Sequence, residues 1–117
     1  MSYPGKESGA VILFGASWCA PCRAELRNLP ELASAVAPAR IEIAWIDRAP
    51  RVATRAAGPN VVVIPPAEAQ RKFAAIAGVN QALPVAAMID ASGRTCAIAR
   101  APATIPVLQG LVARCLR

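Results

Sequence analysis

Cys19 and Cys22, separated by Ala20-Pro21 and preceded by Trp18, are the residues of this chain whose type and spacing best suit chemistry. Cysteines so spaced can cycle between dithiol and disulfide, supply half of a zinc site, or form a static crosslink. Zinc needs two further ligands. The chain has no His, and its other cysteines, Cys96 and Cys115, do not make a second Cys-x-x-Cys. Copper would want His or a Met cluster beside the pair. A static crosslink over so short a loop adds little chain-entropy stabilisation. Redox exchange is therefore the favoured reading, with no metal and no cofactor beyond the Cys19–Cys22 disulfide itself. The thiolate is the attacking species, and a helix N-terminus favours it through free N–H groups and a positive dipole end. Cys19 is expected to be the outer, more acidic sulfur, and Cys22 the one that resolves the mixed disulfide.

The elements around the pair are readable from apolar spacing. Ala10 to Phe14 is a short apolar run that suits a strand buried on both faces, ending at Gly15. A helical pattern runs from about Pro21 to Val36, with Leu26, Leu29, Leu32, Ala33 and Val36 on one face. Pro21 suits its first turn, and Pro30 predicts a bend near residues 26 to 30. Arg40 to Ile46 reads as a strand, Asp47 to Gly58 has room for a short helix, and Val61 to Ile64 is β-prone. Ala67 to Ala77 reads as a helix closed by Gly78. Val85 to Ile89 and Thr95 to Ala99 read as an antiparallel pair around an Asp90-to-Gly93 turn. Thr104 to Leu116 reads as a last helix with Thr104 as its cap. Strands alternating with helices predict a largely parallel sheet covered on both faces.

Composition narrows the class. The chain has 117 residues, 56% hydrophobic and 17% charged, so one domain spanning 1–117 with a packed core is expected rather than disorder. No apolar run is long enough to span a bilayer. Met1 to Glu7 has no signal-peptide h-region, so no membrane contact by this segment is expected. The net charge is +6, but the basic residues stand singly apart from Arg71-Lys72, which favours solvated surface over a nucleic-acid footprint. The positive field still suits acidic partners.

The stretch Val11 to Leu26 resembles the active-site strand and helix of the thioredoxin superfamily. It is most similar to the branch of TlpA-like and ResA-like proteins, which favours an Ala-Ser-Trp-Cys-x-Pro-Cys-Arg-x-Glu pattern matched by Ala16 to Glu25. Gly78 to Gly93 is a second anchor, with Leu83-Pro84 ahead of a strand. The resemblance implies an α/β thioredoxin fold: a central mixed sheet of about four to five strands flanked by helices on both faces. It implies a thiol–disulfide oxidoreductase acting on protein disulfides or dithiols, more as a reductant, and recharged by an upstream thiol electron donor. It also implies a periplasmic or exported setting, with an anchor in the full-length form as one option and a cytoplasmic setting as the alternative. A monomer is expected. A redox-switched peptide-binding module without turnover is the competing reading.

The resemblance further implies that Pro84 is a cis-proline facing the cysteines. Leu83 would then offer backbone groups to a peptide, with Trp18, Ala20 and Pro21 completing the contact surface. Glu25 stands where related reductants carry a Glu that assists proton movement; the alternative is a solvated first-turn Glu that complements the helix dipole. The chain departs from the family at Leu13, where many thioredoxins have a buried Asp, and at Arg27, where the family's helix Pro would fall; Pro30 is expected to supply the bend instead. Val61 to Ile64 reads as a small insertion. Cys96 and Cys115 read first as buried, inert small hydrophobes and second as a structural disulfide. Trp45 reads as core, and Asp47 closes a strand facing the active-site edge of such sheets but is assigned no role.

Overall fold

The computed structural model describes residues 9–78 and 82–115. The first strand, β1 (Ala10–Gly15), is buried at all six positions. Its side chains alternate between two cores. Val11 and Leu13 face one side, where helices α1 (Ala20–Arg27), α2 (Leu29–Val36) and α5 (Ile105–Cys115) contribute Cys22, Leu29, Leu32, Leu108 and Leu111. Ile12 and Phe14 face the other, against Ala69, Phe73 and Ala77 of α4 (Pro66–Ala77). The Phe14 and Phe73 rings meet at 5.2 Å between centroids, tilted by 51°. Each such fully buried large side chain contributes about 1.5–3 kcal/mol, so β1 is the strand whose loss would empty both cores.

The sheet has five strands in the order β3-β2-β1-β4-β5, with β2 (Arg40–Trp45), β3 (Val61–Val63), β4 (Val85–Ile89) and β5 (Thr95–Ala99). The expected mixed α/β architecture is thus present, with two corrections. The sheet is not largely parallel: β1 pairs parallel with β2 and β2 with β3, but β4 runs antiparallel to both β1 and β5. After α4 the chain crosses to the far side of β1 and enters in the opposite sense, which strand–helix alternation alone does not reveal. Val61 to Ile64 is no insertion either. It forms edge strand β3, fixed where Asn60 Nδ2 donates to Ala33 O at 3.0 Å and Ala39 O at 2.8 Å.

The single bent helix expected over residues 21 to 36 is two helices. α1 ends at Arg27, Asn28 caps it, and α2 starts at Leu29 with Pro30 in its first turn. Pro30 lacks an N–H at a position where none is needed, so it starts a helix rather than kinking one. The short α3 (Thr54–Ala57) fills the segment between β2 and β3. Gly78 closes α4 at φ 65°, a left-handed conformation that Gly adopts without a Cβ clash. Thr104 Oγ1 accepts from Val107 N at 3.3 Å and caps α5 as expected; Leu116 lies outside the described residues. Among the described residues no helix is long and apolar enough to cross a membrane.

Cys96 and Cys115 are not two inert small hydrophobes. They are disulfide-bonded, with Cα atoms 5.5 Å apart, and tie β5 to the last turn of α5.

Candidate redox site

The site is built where β1 turns into α1. Gly15 ends the strand without a side chain because none fits: a Cβ there would lie 2.5 Å from Trp45 Nε1 and 3.0 Å from Cys22 Cβ. Trp45 is core, as expected, and it also packs in the same cluster as both cysteines. The chain then turns, with Cys19 N donating to Ala16 O at 3.0 Å, and Cys19 becomes the residue that caps α1. Its backbone is extended (φ −92°, ψ 105°), and its sulfur accepts the Cys22 N–H at 3.3 Å. Pro21 sits in the first turn of α1. Cys19 and Cys22 are joined in a disulfide with Cα atoms 5.2 Å apart.

The two sulfurs have different surroundings. Cys19 is 5% exposed and Cys22 only 1%. Cys19 is thus the outer of the pair, though far more covered than the sequence suggested. Cys22 Sγ lies 3.9 Å from Phe14 O, where a reduced thiol has an acceptor. Around Cys19 the surface is open: Ala20 and Pro21 are exposed, and Trp18 is 67% exposed.

The Leu83–Pro84 bond is cis, and both residues are half-buried. Val85 pairs with Phe14 in the β1–β4 register. Pro84 is therefore placed at the end of β1 from which the cysteine turn departs. The preceding part of the Gly78-to-Gly93 stretch, residues 79–81, lies outside the described residues.

Glu25 is not a solvated first-turn residue. It lies on the buried face of α1, one helical turn beyond Cys22, and its Oε2 accepts from Ala103 N at 2.7 Å. Desolvation pushes its pKa up to about 7, against the lowering effect of that hydrogen bond. The other buried carboxylate, Glu42, has a different environment: Arg40 and Lys72 each approach it at 2.9 Å. Glu42 is a neutralised structural charge. Glu25, with no ion pair among the described residues, can gain or lose a proton near neutrality.

Sequence reasoning gave Asp47 no role. Both of its carboxylate oxygens accept from Ser17 N at 3.1 Å, one also bonds Ser17 Oγ, and Oδ1 accepts from Arg48 N at 2.9 Å. Desolvation pulls its pKa up, but these bonds from Ser17 and Arg48 outweigh it and hold the carboxyl below its ordinary range. Asp47 thus anchors the turn that presents Cys19. The signal was available in the strand pairing: Gly15 aligns with Trp45 in parallel register, and two residues further along come Ser17 and Asp47.

The chain, with sheet order β3-β2-β1-β4-β5, a Cys-x-x-Cys at the mouth of α1 and a cis-proline ahead of β4, superposes on several solved structures. StoA from Bacillus subtilis superposes with a TM-score of 0.63 at 16% identity, over 95% of this chain and 87% of that one. The N-terminal domain of PilB from Neisseria gonorrhoeae gives 0.62 at 21% identity, over 95% and 79%. A thio-disulfide isomerase from Thermus thermophilus gives 0.59 at 23% identity, over 91% and 78%. The chain has the thioredoxin fold. No protein-family model and no curated protein sequence matches it. The cysteine pair lies beyond the carboxyl end of β1, the central strand of the sheet.

Proposed function

We propose that the protein is a thiol–disulfide oxidoreductase that exchanges electrons with protein partners through Cys19 and Cys22, working chiefly as a reductant. One observation carries this reading: the outer sulfur caps α1 and accepts a backbone N–H from the inner cysteine's own residue. That bond and the helix dipole both favour a thiolate at Cys19.

In the reducing direction the Cys19 thiolate attacks a disulfide of the partner. One partner sulfur leaves as a thiolate and takes a proton, and a mixed disulfide joins Cys19 to the other. Cys22 then loses its proton, and its sulfur attacks Cys19 Sγ. The second partner sulfur leaves and is protonated, so the partner gains two electrons and the Cys19–Cys22 disulfide remains. An upstream thiol donor reverses that bond. Glu25, buried on the face of α1 that carries Cys22, is suited to take the proton Cys22 gives up. The exposed Trp18, Ala20 and Pro21, with Leu83 and Pro84, offer the surface on which a partner peptide rests.

An exported or periplasmic setting is part of this reading. The Cys96–Cys115 disulfide supports it, because such bonds persist in oxidising compartments. So do two similar structures, described as a secreted disulfide oxidoreductase from Mycobacterium tuberculosis and an exposed lipoprotein thioredoxin from Streptococcus pneumoniae.

Insulin reduction with dithiothreitol as donor tests the proposal. Turnover should vanish in Cys19→Ser, and Cys22→Ser should accumulate a mixed disulfide detectable by mass. A wild-type protein that binds the peptide but never reduces it would replace the enzyme with a redox-switched binding module.

A further inference from the structure

The basic residues that stand singly in the sequence do not stay apart in the fold. Arg23 from α1 and Arg48 and Arg51 from the segment after β2 line one cleft of about 550 Å³, together with Ser17, Leu26 and Trp45. The cleft adjoins the cysteine turn: Ser17 lies two residues before Cys19, and Arg23 follows Cys22. Arg23 Nη1 donates to Ser17 O at 2.7 Å, which holds its guanidinium against the turn and leaves its other N–H groups free to bind.

These charges are not neutralised. Among the described residues the ion pairs are Arg40–Glu42, Lys72–Glu42 and Lys72–Glu68, and none involves the three cleft arginines. Asp47, which bonds Ser17 and the Arg48 backbone, is one carboxylate against three arginines, so the cleft keeps an excess of positive charge. A second cleft, of about 380 Å³ at the opposite end of the sheet, shows what neutralisation looks like here: Arg40 and Lys72 line it together with Glu42 and Asp90. The far cleft sets two carboxylates against its two cations, whereas the lining of the one beside the cysteines holds three arginines and no carboxylate.

Resting on the oxidoreductase reading, we propose that the cleft of Arg23, Arg48 and Arg51 binds Asp or Glu side chains flanking the disulfide of a polypeptide substrate. Guanidinium groups match carboxylates with paired hydrogen bonds. The half-buried Leu26 would carry the methylene stems of those side chains. Binding here places an acidic segment next to Cys19, so the charge on the partner selects which disulfides are reduced.

The test uses the full chain and three disulfide peptides that differ only in flanking Glu, Gln or Lys. Each rate is divided by the same protein's rate on hydroxyethyl disulfide, which is uncharged. The Glu peptide should exceed the Lys peptide in kcat/KM by roughly tenfold or more, chiefly through KM. That ratio should collapse towards unity in Arg48→Glu/Arg51→Glu and at about 1 M salt, where screening reaches ~3 Å. Arg71→Glu/Arg94→Glu makes the same change in net charge away from the cleft and should keep most of the preference. Equal rates on the Glu and Lys peptides, or an equal loss in the remote variant, would overturn the acidic-substrate proposal while turnover of hydroxyethyl disulfide still stands. Failure to reduce hydroxyethyl disulfide at all would instead count against the oxidoreductase reading beneath it.

Discussion

The two disulfides join similar partners by different means. Cys19 and Cys22 lie one helical turn apart, and local geometry alone brings their Cα atoms to 5.2 Å. Cys96 and Cys115 are separated by 19 positions and reach 5.5 Å only because α5 packs across the strand that carries Cys96. A bond whose ends are already held together by a helix can open without releasing the chain. A bond that closes a long loop holds structure that would otherwise be free. The first is therefore suited to cycling and the second to bracing. The brace also encloses Ala103, whose N–H donates to the Glu25 carboxylate.

The sharpest way to break this contrast is to remove each bond separately. Cys96→Ala/Cys115→Ala should lose roughly 3 kcal/mol of unfolding free energy, against roughly 2 kcal/mol or less for Cys19→Ala/Cys22→Ala. Urea unfolding without reductant measures both, and equal or reversed losses would end the division of labour.

Glu25 gives a second, smaller effect. Its carboxyl titrates at about 7 in the fold against 4.5 ordinarily. Below the lower value it is protonated in folded and unfolded chains alike. As pH rises between the two values the unfolded chain releases the proton and the folded chain keeps it, so stability falls. Above about 7 the loss is complete. Glu25→Gln keeps an acceptor for Ala103 N–H and removes the titration, so it should match wild type in acid. At pH 8 it should exceed wild type by on the order of 2 kcal/mol. Parallel pH–stability curves for the two proteins would show that the carboxyl is not buried as described.

The smallest expected effect is at Asp47, which holds the cysteine turn from outside. Asp47→Ala should cost about 0.5–1 kcal/mol in stability, as for an exposed set of hydrogen bonds. It should also speed alkylation of reduced Cys19 relative to wild type at the same pH, because it loosens the turn over a 5% exposed residue and removes a nearby negative charge. An unchanged alkylation profile would confine Asp47 to a surface tie.

Where the sequence was legible, the information was local. Cys19, Pro21 and Cys22 share one helical turn, β1 is one apolar run, and Gly78 and Thr104 mark helix ends by backbone rules that act over a few residues. The break at Asn28 was misjudged because Pro30 was taken as interior, although Pro is equally suited to a first turn. β3 was taken for an insertion because three β-prone residues at a sheet edge carry no pattern of their own. The burial of Glu25 was not legible, since the loop that covers it arrives 78 residues later in the chain.

By itself the sequence determined which two sulfurs meet and that a helix begins between them, because both follow from contacts within a single turn. Tertiary structure alone decided that β4 enters antiparallel and that Cys96 bonds Cys115. It also decided that Asp47 grips Ser17 and that three scattered arginines line one cleft. Those outcomes depend on which elements come to lie side by side, and that is set by the burial of both faces of β1 rather than by any neighbouring residues in the chain.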